Sequence, residues 1–229
     1  TPPLHSRLSQ WSPDKPSDYC PRCGTTCGPF ESSADGCPTC SSRKLPWERL
    51  IRLSEYRGTI RDMIHEVKFT RWRKLGDQLG QLLGASISTE ITHAGLPISD
   101  FTLIPIPSSF LRRISRGIDH AVVIARGVSR STGIPLVHAL SRSHRPSQVS
   151  IPASSRAANV AGSIRAKRFV RCHTPYILLL DDVTTTRATL TAGCKALLSA
   201  HKSLSNLNQG HLPRVWTAVV AVTPRPNTN

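Results

Sequence analysis

The stretch that most constrains this chain comprises residues 176–190, YILLLDDVTTTRATL. Residues 176–180 form an uninterrupted apolar run, which is typical of a strand buried on both faces of a parallel sheet. Such a strand does not accommodate two adjacent carboxylates, so Asp181 and Asp182 are expected where it emerges at its C-terminal end. In open α/β sheets, ligands bind at this edge. The pattern therefore predicts an α/β fold with a ligand site beside the two acids.

Hydroxyl-bearing residues follow the acids. Thr184, Thr185 and Thr186 precede a helix that is expected to begin near Thr189. A helix N-terminus favours an anion such as phosphate, because its first N–H groups have no partner within the helix. Since carboxylates accept hydrogen bonds from hydroxyl groups, the whole stretch predicts a sugar phosphate as the ligand. The alternative is that the acids only cap the helix and face solvent.

Four of the seven cysteines form two close pairs. Cys20 and Cys23 are separated by two residues, as are Cys37 and Cys40. This spacing is typical of two thiolate knuckles that complete a tetrahedral site, and it predicts a structural Zn²⁺ ion in a zinc ribbon at residues 19–43. So small a module has no room for an apolar core and depends on its metal. Two disulfides are the alternative, which the absence of a signal-peptide pattern disfavours.

These motifs resemble a known family. Residues 181–189 resemble the phosphoribosyl pyrophosphate (PRPP) loop of type I phosphoribosyltransferases, and with the cysteine pairs the best match is the ComF family of competence proteins. The resemblance implies a type I phosphoribosyltransferase-like parallel sheet flanked by helices, behind a small zinc ribbon. It also implies that Asp181 and Asp182 are the catalytic pair that holds the ribose hydroxyls, with Mg²⁺ accompanying PRPP. The residues implied to bind the 5-phosphate are Thr184, Thr185, Thr186, Arg187, Ala188 and Thr189.

Arg187 departs from the family pattern, which has glycine at this position. Glycine is favoured where the backbone needs a positive φ or must approach a ligand closely. Two alternatives therefore stay open. Either the arginine has cost the site its catalytic competence, or its guanidinium adds a contact to phosphate.

A second loop is implied to bind pyrophosphate. Residues 100–107, DFTLIPIP, predict a strand that enters a tight loop, and the resemblance makes it the first strand of the sheet. Guanidinium groups bind phosphate oxygens in pairs, so the arginines that follow suit a pyrophosphate clamp. The family's Arg-Gly-Phe-Asn-Gln segment is Arg-Gly-Ile-Asp-His at residues 116–120. Residues 142–170 resemble the family's flexible loop, which is expected to close over the ligand. The residues implied to bind pyrophosphate are Pro107, Ser108, Arg112, Arg113 and Arg116.

Residues 44–98 are expected to form a basic helical bridge, with residues 85–99 as a connection to the next strand. Cations surround two aromatic residues in this bridge, and such a combination can hold single-stranded DNA through phosphate contacts and base stacking. The alternative is that the aromatic side chains belong to the core and the cations only solvate a helix. The ComF bridge elements are Tyr56, Gly58, Lys68 and Phe69. The residues predicted to bind nucleic acid are Lys68, Arg71, Trp72, Arg73 and Lys74.

The remaining segments carry less information. Residues 1–18 predict a mobile leader and residues 225–229 a polar tail, so a phosphoribosyltransferase-like domain is expected at 99–224. No apolar run reaches the ~20 residues that a membrane span needs, and a cytoplasmic location is expected. The net charge is +16, and residues 110–173 hold twelve Lys or Arg residues against one acid. This charge favours a polyanionic partner, or it belongs to the surface of a high-pI protein.

Two functions remain open from the sequence. In the first, the chain is a ComF-like protein that binds PRPP and acts in DNA uptake during natural transformation, with single-stranded DNA and the uptake helicase as implied partners. In the second, it is an active phosphoribosyltransferase whose acceptor is unknown. A fold by itself establishes neither function.

Overall fold

The computed structural model describes residues 11–28, 30–33, 35–69, 72–108, 117–143, 162–167, 174–208 and 211–224. The strands are β1 (Arg49–Glu55), β2 (Phe101–Pro105), β3 (Leu140–Arg142), β4 (Ile164–Ala166), β5 (Tyr176–Thr184) and β6 (Arg214–Val222). The α-helices are α1 (Gly58–Phe69), α2 (Arg73–His93), α3 (His120–Thr132) and α4 (Ala188–Asn208).

A parallel sheet lies at the centre of the molecule. Its strands are ordered β1-β6-β5-β2, and each neighbouring pair is parallel. Leu178 of β5 lies in register with Trp216 of β6, and Leu179 lies in register with Ile104 of β2. All four strands therefore end at the same edge of the sheet, where a ligand site is expected in such folds.

Helices cover both faces of the sheet. Leu178 and Leu180 of β5 pack in the apolar cluster that also holds side chains of α2 and α3. Ile177 and Leu179 point to the opposite face and pack in the cluster that holds Leu190 and other residues of α4. Successive side chains of a strand alternate between faces, so a strand covered on both sides is apolar throughout. The predicted α/β fold, a parallel sheet flanked by helices, is confirmed.

Helices α2 and α3 approach each other closely through glycine. A Cβ atom at Gly80 would lie 2.1 Å from the carbonyl oxygen of Ile124, and one at Gly127 would lie 2.2 Å from the carbonyl oxygen of Asp77. Both distances are far shorter than a van der Waals contact. The crossing thus requires glycine on both helices, and it fixes the position of α3 beside the sheet.

The bridge predicted at residues 44–98 differs from the structure at both ends. Arg49–Glu55 form β1, the edge strand beside β6, rather than helix. Residues 85–93, expected to be a connection, continue helix α2 to His93 because Ile87 and Ile91 pack in the core. The chain therefore contributes a sheet strand before β2, so β2 is not the first strand.

Two further strand boundaries differ from the predictions. The sequence of residues 135–140 also predicts a strand. In the structure, Leu136 forms only an isolated parallel bridge to Leu103, and β3 begins at Leu140, where it pairs with β4 in a small antiparallel ribbon. Strand β5 extends through both acids to Thr184. The acids tolerate this because they lie at the strand's open end, where they are only half-buried.

The cysteine module, residues 19–43, is attached to β1 by a buried arginine. The Arg52 guanidinium donates to the carbonyl oxygen of Gly24 at 2.6 Å and to Oγ1 of Thr26 at 2.9 Å. It also pairs with Asp14 at 2.7 Å. Asp14 belongs to the predicted leader, so the described part of that segment packs against the sheet. Within the described ranges, no helix combines the length and apolarity that crossing a membrane requires.

Candidate ligand pocket and metal centre

The four predicted metal ligands come together in the folded chain. The Sγ atoms of Cys20, Cys23, Cys37 and Cys40 all lie within 4.8 Å of one another, and the four residues are buried. Three of the separations are 3.6, 3.7 and 3.9 Å. A tetrahedral zinc site with metal–sulfur bonds of about 2.3 Å places its sulfur atoms roughly 3.8 Å apart. The cluster has the ligand type, number and spacing to bind a metal ion of this kind.

The same distances bear on the disulfide alternative. A disulfide requires a sulfur–sulfur distance of about 2.05 Å, whereas these cysteines are free thiols. Cys27 is also free and lies beside the cluster, where its thiol donates to the carbonyl oxygen of Thr25. Two disulfides do not form in this arrangement.

A pocket of about 340 Å³ opens at the carboxyl edge of the sheet. Several residues that line it are the last of a strand or follow one directly: Tyr56 after β1, Ile106 after β2 and Thr223 after β6. The acids of β5 lie between them. Among the described residues, those that line the pocket are Tyr56, Lys68, Ile106, Pro107, Ser108, His120, Ala121, Arg142, Asp181, Asp182, Val183, Thr185, Thr189 and Thr223.

The two acids differ in their surroundings. Burial, reinforced by the neighbouring Asp182 carboxylate, raises the pKa of Asp181 well above its usual range. Burial also acts to raise the pKa of Asp182, but the Lys68 ammonium, 2.8 Å from Oδ2, lowers it below its ordinary value. Coupled carboxylates separate in this way because like charges resist simultaneous ionisation. The pair therefore consists of one carboxylate whose charge Lys68 stabilises and one carboxyl group that takes up a proton more readily than an exposed aspartate does.

The predicted phosphate residues fall into two groups. Thr185 and Thr189 line the pocket, at the end of β5 and in the first turn of α4. Thr184 is buried, and its carbonyl oxygen accepts a hydrogen bond from the N–H of Thr223. The others, Thr186, Arg187 and Ala188, are not among the lining residues.

Arg187 keeps the backbone conformation of the glycine that it replaces. Its φ is +64°, in the left-handed region that favours glycine. Its side chain does not reach the pocket, contrary to the alternative of an added phosphate contact. Instead Nε donates to the carbonyl oxygen of Cys23 and an Nη donates to Oγ1 of Thr25, both at 2.8 Å. The guanidinium therefore joins the turn to the cysteine module.

The described part of the predicted pyrophosphate loop belongs to the pocket. Pro107 and Ser108 line it, whereas Arg112, Arg113 and Arg116 lie outside the described residues, as does most of residues 142–170. The N–H of Ser108 donates to Oδ2 of Asp119 at 3.1 Å, and its hydroxyl donates to Oδ1 at 3.3 Å. The Asp119 carboxylate thus accepts the two hydrogen bonds that Ser108 could otherwise donate to a pyrophosphate oxygen.

The predicted nucleic-acid residues separate. Lys68 turns into the pocket, so it leaves the proposed surface. Phe69 and Trp72 are 60% and 37% exposed, so the alternative that they belong to the core is wrong. Arg73 and Lys74 are exposed in the first turn of α2, and Arg71 lies outside the described residues.

Sequence reasoning assigned no ligand role to several residues of the pocket, among them four with polar side chains. Tyr56 and Thr223 are each the first residue after a parallel strand, and such positions converge at one edge. The signal for Tyr56 depended on recognising β1, and that for Thr223 on the end of β6. Buried His120 begins α3, and half-buried Arg142 ends β3. Both fall in segments that the resemblance singled out, 116–120 and 142–170, but it gave neither side chain a role.

Together the sheet, the helices on its faces, the pocket at its carboxyl edge and the thiol cluster define an α/β protein with a candidate ligand pocket and a potential metal site. In sequence, the chain is similar to "DNA utilization protein YhgH" of Salmonella typhi, with 26% identity over 186 residues that cover 78% of this chain and 77% of the relative. The protein of the same name from Escherichia coli K12 is 25% identical over the same shares of the two chains. No protein-family model matches the chain.

Two solved structures show a weaker likeness. A mutant hypoxanthine phosphoribosyltransferase of Trypanosoma cruzi matches with a TM-score of 0.32 and 13% identity, over 68% of this chain and 79% of that protein. An allosteric regulatory enzyme of purine biosynthesis matches with a TM-score of 0.30 and 15% identity. That match covers 63% of this chain, which spans about a quarter of the enzyme's length. Scores this low carry no argument, so the site has to be judged from its own geometry.

Proposed function

We propose that the chain is a ComF-like cytoplasmic protein that binds a phosphorylated ribose, PRPP or a close relative, and acts in DNA uptake. The observation that carries the ligand class is the joint placement of Asp181, Asp182, Thr185 and Thr189 in one pocket. The acids suit hydroxyl groups, and the threonines at the N-terminus of α4 suit phosphate. The left-handed turn before the helix supports the same ligand.

Within this proposal, the pocket residues position the ligand by charge and hydrogen bonding. Asp182, whose charge Lys68 stabilises, accepts from a ribose hydroxyl, and Asp181 offers a second carboxyl group beside it. Lys68, Arg142 and His120 line the same pocket, and their charge offsets that of a phosphorylated ligand. The acids fit Mg²⁺ poorly, because the Lys68 ammonium already holds Asp182. We therefore assign the protein no direct ligand role toward that ion.

Binding is favoured over phosphoribosyl transfer. Transfer requires donors that stabilise departing pyrophosphate, yet the carboxylate of Asp119 occupies both donors of Ser108. A negative charge here opposes the charge that develops on the leaving group. The active-transferase alternative would require the arginines beyond Ser108 to outweigh it.

Binding is tested by titrating the full chain with ribose 5-phosphate and with PRPP in a calorimeter. Asp182→Asn removes the ionised acceptor, so it should weaken both ligands about tenfold, the loss expected of one charge-assisted hydrogen bond. Asp62→Asn is the matched control, because Asp62 is exposed on α1 and does not line the pocket. Heat that is absent with both ligands, or equal weakening by both variants, contradicts the proposal.

The cysteine cluster is proposed to bind one structural Zn²⁺. The support is the close grouping of four buried thiols, whose Sγ atoms all lie within 4.8 Å of one another. Apart from cysteines, the only hydrophobic residue that packs against this cluster among the described residues is Leu45. Such modules take their folding free energy from the metal. Metal analysis after dialysis should find about one zinc ion per chain. A value near zero for the folded protein contradicts this assignment.

The DNA role rests on the names of the relatives and on one surface. We define the aromatic–basic surface as Phe69, Trp72, Arg73 and Lys74, which are exposed together where α1 ends and α2 begins. Exposed rings stack on unpaired bases, and the adjacent cations contact phosphates. The ComF resemblance adds an uptake helicase as a proposed protein partner.

The DNA role is tested with fluorescent single-stranded DNA at several salt concentrations. Affinity should fall steeply with salt, and Arg73→Ala with Lys74→Ala should weaken binding and reduce the salt slope. The matched control combines Arg126→Ala and Lys195→Ala, which remove the same charge from exposed positions on α3 and α4. Equal losses in the two double variants would show that only net charge matters.

A further inference from the structure

We infer that Arg187 is a positioning residue through which the metal-loaded cysteine module holds the phosphate-binding turn in its ligand-ready conformation. This inference rests on the proposed function, because it assigns regulation to that pocket. It follows from three features of one residue: its backbone conformation, the two hydrogen bonds of its guanidinium, and the identity of the residues that accept them.

The backbone of Arg187 needs an external restraint. A φ of +64° disfavours any residue with a Cβ atom, so an arginine left to itself would relax toward negative φ. The residue immediately precedes α4, and its carbonyl oxygen accepts the N–H of Thr191 in the first turn. A change of φ here would move the start of the helix that carries Thr189, one of the pocket residues.

The restraint comes from the cysteine cluster. Arg187 donates to the carbonyl oxygen of Cys23, a member of the cluster, and to the hydroxyl of Thr25. That hydroxyl also accepts a contact from the Cys23 thiol at 3.3 Å. Both acceptors therefore lie at one corner of the metal site. A metal that fixes this corner also fixes Arg187.

The module does not depend on Arg187 for its attachment to the sheet. Arg52 holds the carbonyl oxygen of Gly24 and the hydroxyl of Thr26, and it is buried beneath the module. Gly24 also packs closely against Leu50 of β1. Removing the Arg187 side chain should therefore free the turn while the module stays in place.

Two substitutions separate restraint from strain. Arg187→Gly removes the link but also the strain, because glycine adopts positive φ readily, so the turn should keep its conformation without the module. Arg187→Ala removes the link and retains the strain, so the turn should relax. Arg126→Ala, at an exposed position on α3, controls for the loss of one positive charge.

The experiment measures ribose 5-phosphate binding by the full chain, metal-loaded and after chelation. Chelation should weaken binding by wild type and by Arg126→Ala about tenfold, the loss of one charge-assisted hydrogen bond. Arg187→Ala should bind weakly in both states. Arg187→Gly should bind like loaded wild type in both states. An equal loss on chelation in wild type and Arg187→Gly, or no loss in wild type, overturns the inference.

A second readout does not require the ligand. Hydrogen exchange of the backbone amides of residues 184–194, which include Thr191, reports the turn directly. Chelation should accelerate this exchange in wild type and leave it unchanged in Arg187→Gly. If no protein binds ribose 5-phosphate, the proposed function fails, and the exchange result alone decides the coupling. Equal acceleration in both proteins overturns it.

Discussion

The ion pair between Lys68 and Asp182 allows a quantitative prediction. The two side chains are each 18% exposed, and their charged atoms lie 2.8 Å apart. Removing one partner of a fully buried pair costs about 3–5 kcal/mol, because the other charge stays buried without compensation. Some solvent screens this pair, so we expect Lys68→Met to lower the free energy of unfolding by ~2 kcal/mol at pH 7.

The loss should depend on pH in a defined direction. A carboxyl group whose pKa is lowered in the folded state adds stability that is present above its unfolded pKa and is lost as pH falls. Lys68 lowers the pKa of Asp182, so wild type has this gain at pH 7. Without the ammonium, burial raises the pKa of Asp182, opposed only by the smaller effects of the Val183 N–H and of His120. The difference between variant and wild type should thus be largest at neutral pH and shrink in acid, as Asp182 of the variant takes up a proton.

In wild type and in Lys68→Met, Asp181 changes the stability with pH in the direction opposite to that of Asp182 in wild type. Its pKa is raised in the folded state, so its contribution is present below the unfolded pKa and is lost as pH rises through the folded one. Lys68 also acts to lower the pKa of Asp181, so removing Lys68 should increase the stability that is lost as pH rises. This effect adds to the deficit of Lys68→Met at neutral pH.

Urea unfolding of wild type, Lys68→Met and Lys195→Met at pH 7 and at about pH 5 measures these differences. Lys195 is exposed on α4, so its substitution matches the chemical change without the ion pair. The double variant Lys68→Met with Asp182→Asn should recover part of the loss, because no charge is then left unpaired. A deficit equal to that of Lys195→Met, or one that is the same at both pH values, refutes the reasoning.

The remaining predictions concern the helix crossing, the metal and the pyrophosphate loop. Gly127→Ala should lower the free energy of unfolding by ~3 kcal/mol, since its Cβ would lie 2.2 Å from the carbonyl oxygen of Asp77. Urea unfolding measures this loss, with the exposed neighbour Arg126→Ala as the control. Equal stability of the two variants would contradict the prediction. Chelation should lower the unfolding temperature and expose the four cluster thiols to a thiol reagent, and unchanged reactivity would show that no metal holds them. Asp119→Asn keeps an acceptor for Ser108 but removes a negative charge. It should therefore raise the affinity for PRPP several-fold relative to that for ribose 5-phosphate, as measured by calorimetry. An unchanged ratio of the two affinities would mean that pyrophosphate does not contact this loop.

Local patterns predicted the parts of the fold that local physics determines. The apolar run and the acids at 176–182 identified β5 and the edge at which the pocket opens, because burial on both faces of a sheet leaves few other interpretations. The cysteine spacing likewise brought four thiols together. The residues of β5 are adjacent in sequence, and the four cysteines are all suited to bind the same kind of metal ion.

Strand β1 could not be recognised in the same way. Its sequence, RLIRLSE, contains charged and polar residues, yet its burial is nearly continuous. Arg52 is buried because Asp14 and the cysteine module, both distant in sequence, neutralise and cover it. A charge that is compensated from elsewhere in the chain has the same local pattern as an exposed one. The bridge was therefore assigned to helix, and the first strand was missed.

Lys68 was misplaced for a related reason. It belongs to a run of cations around Phe69 and Trp72, and composition alone assigns all of them to one surface. The last turn of α1 instead directs Lys68 toward Asp182, while the neighbouring rings remain exposed. Only the packing of α1 beside the sheet separates a pocket cation from a surface cation.

Arg187 shows how a departure from a motif can preserve its geometry. The sequence offered loss of the site or a new phosphate contact, and both assume that the side chain acts where the missing glycine stood. The backbone instead retains a positive φ while the guanidinium contacts the cysteine module. Glycine makes such a turn accessible without help, whereas arginine makes it conditional on its partner. A substitution that would weaken an isolated loop can therefore link two sites, if one of them supplies the restraint that the new residue requires.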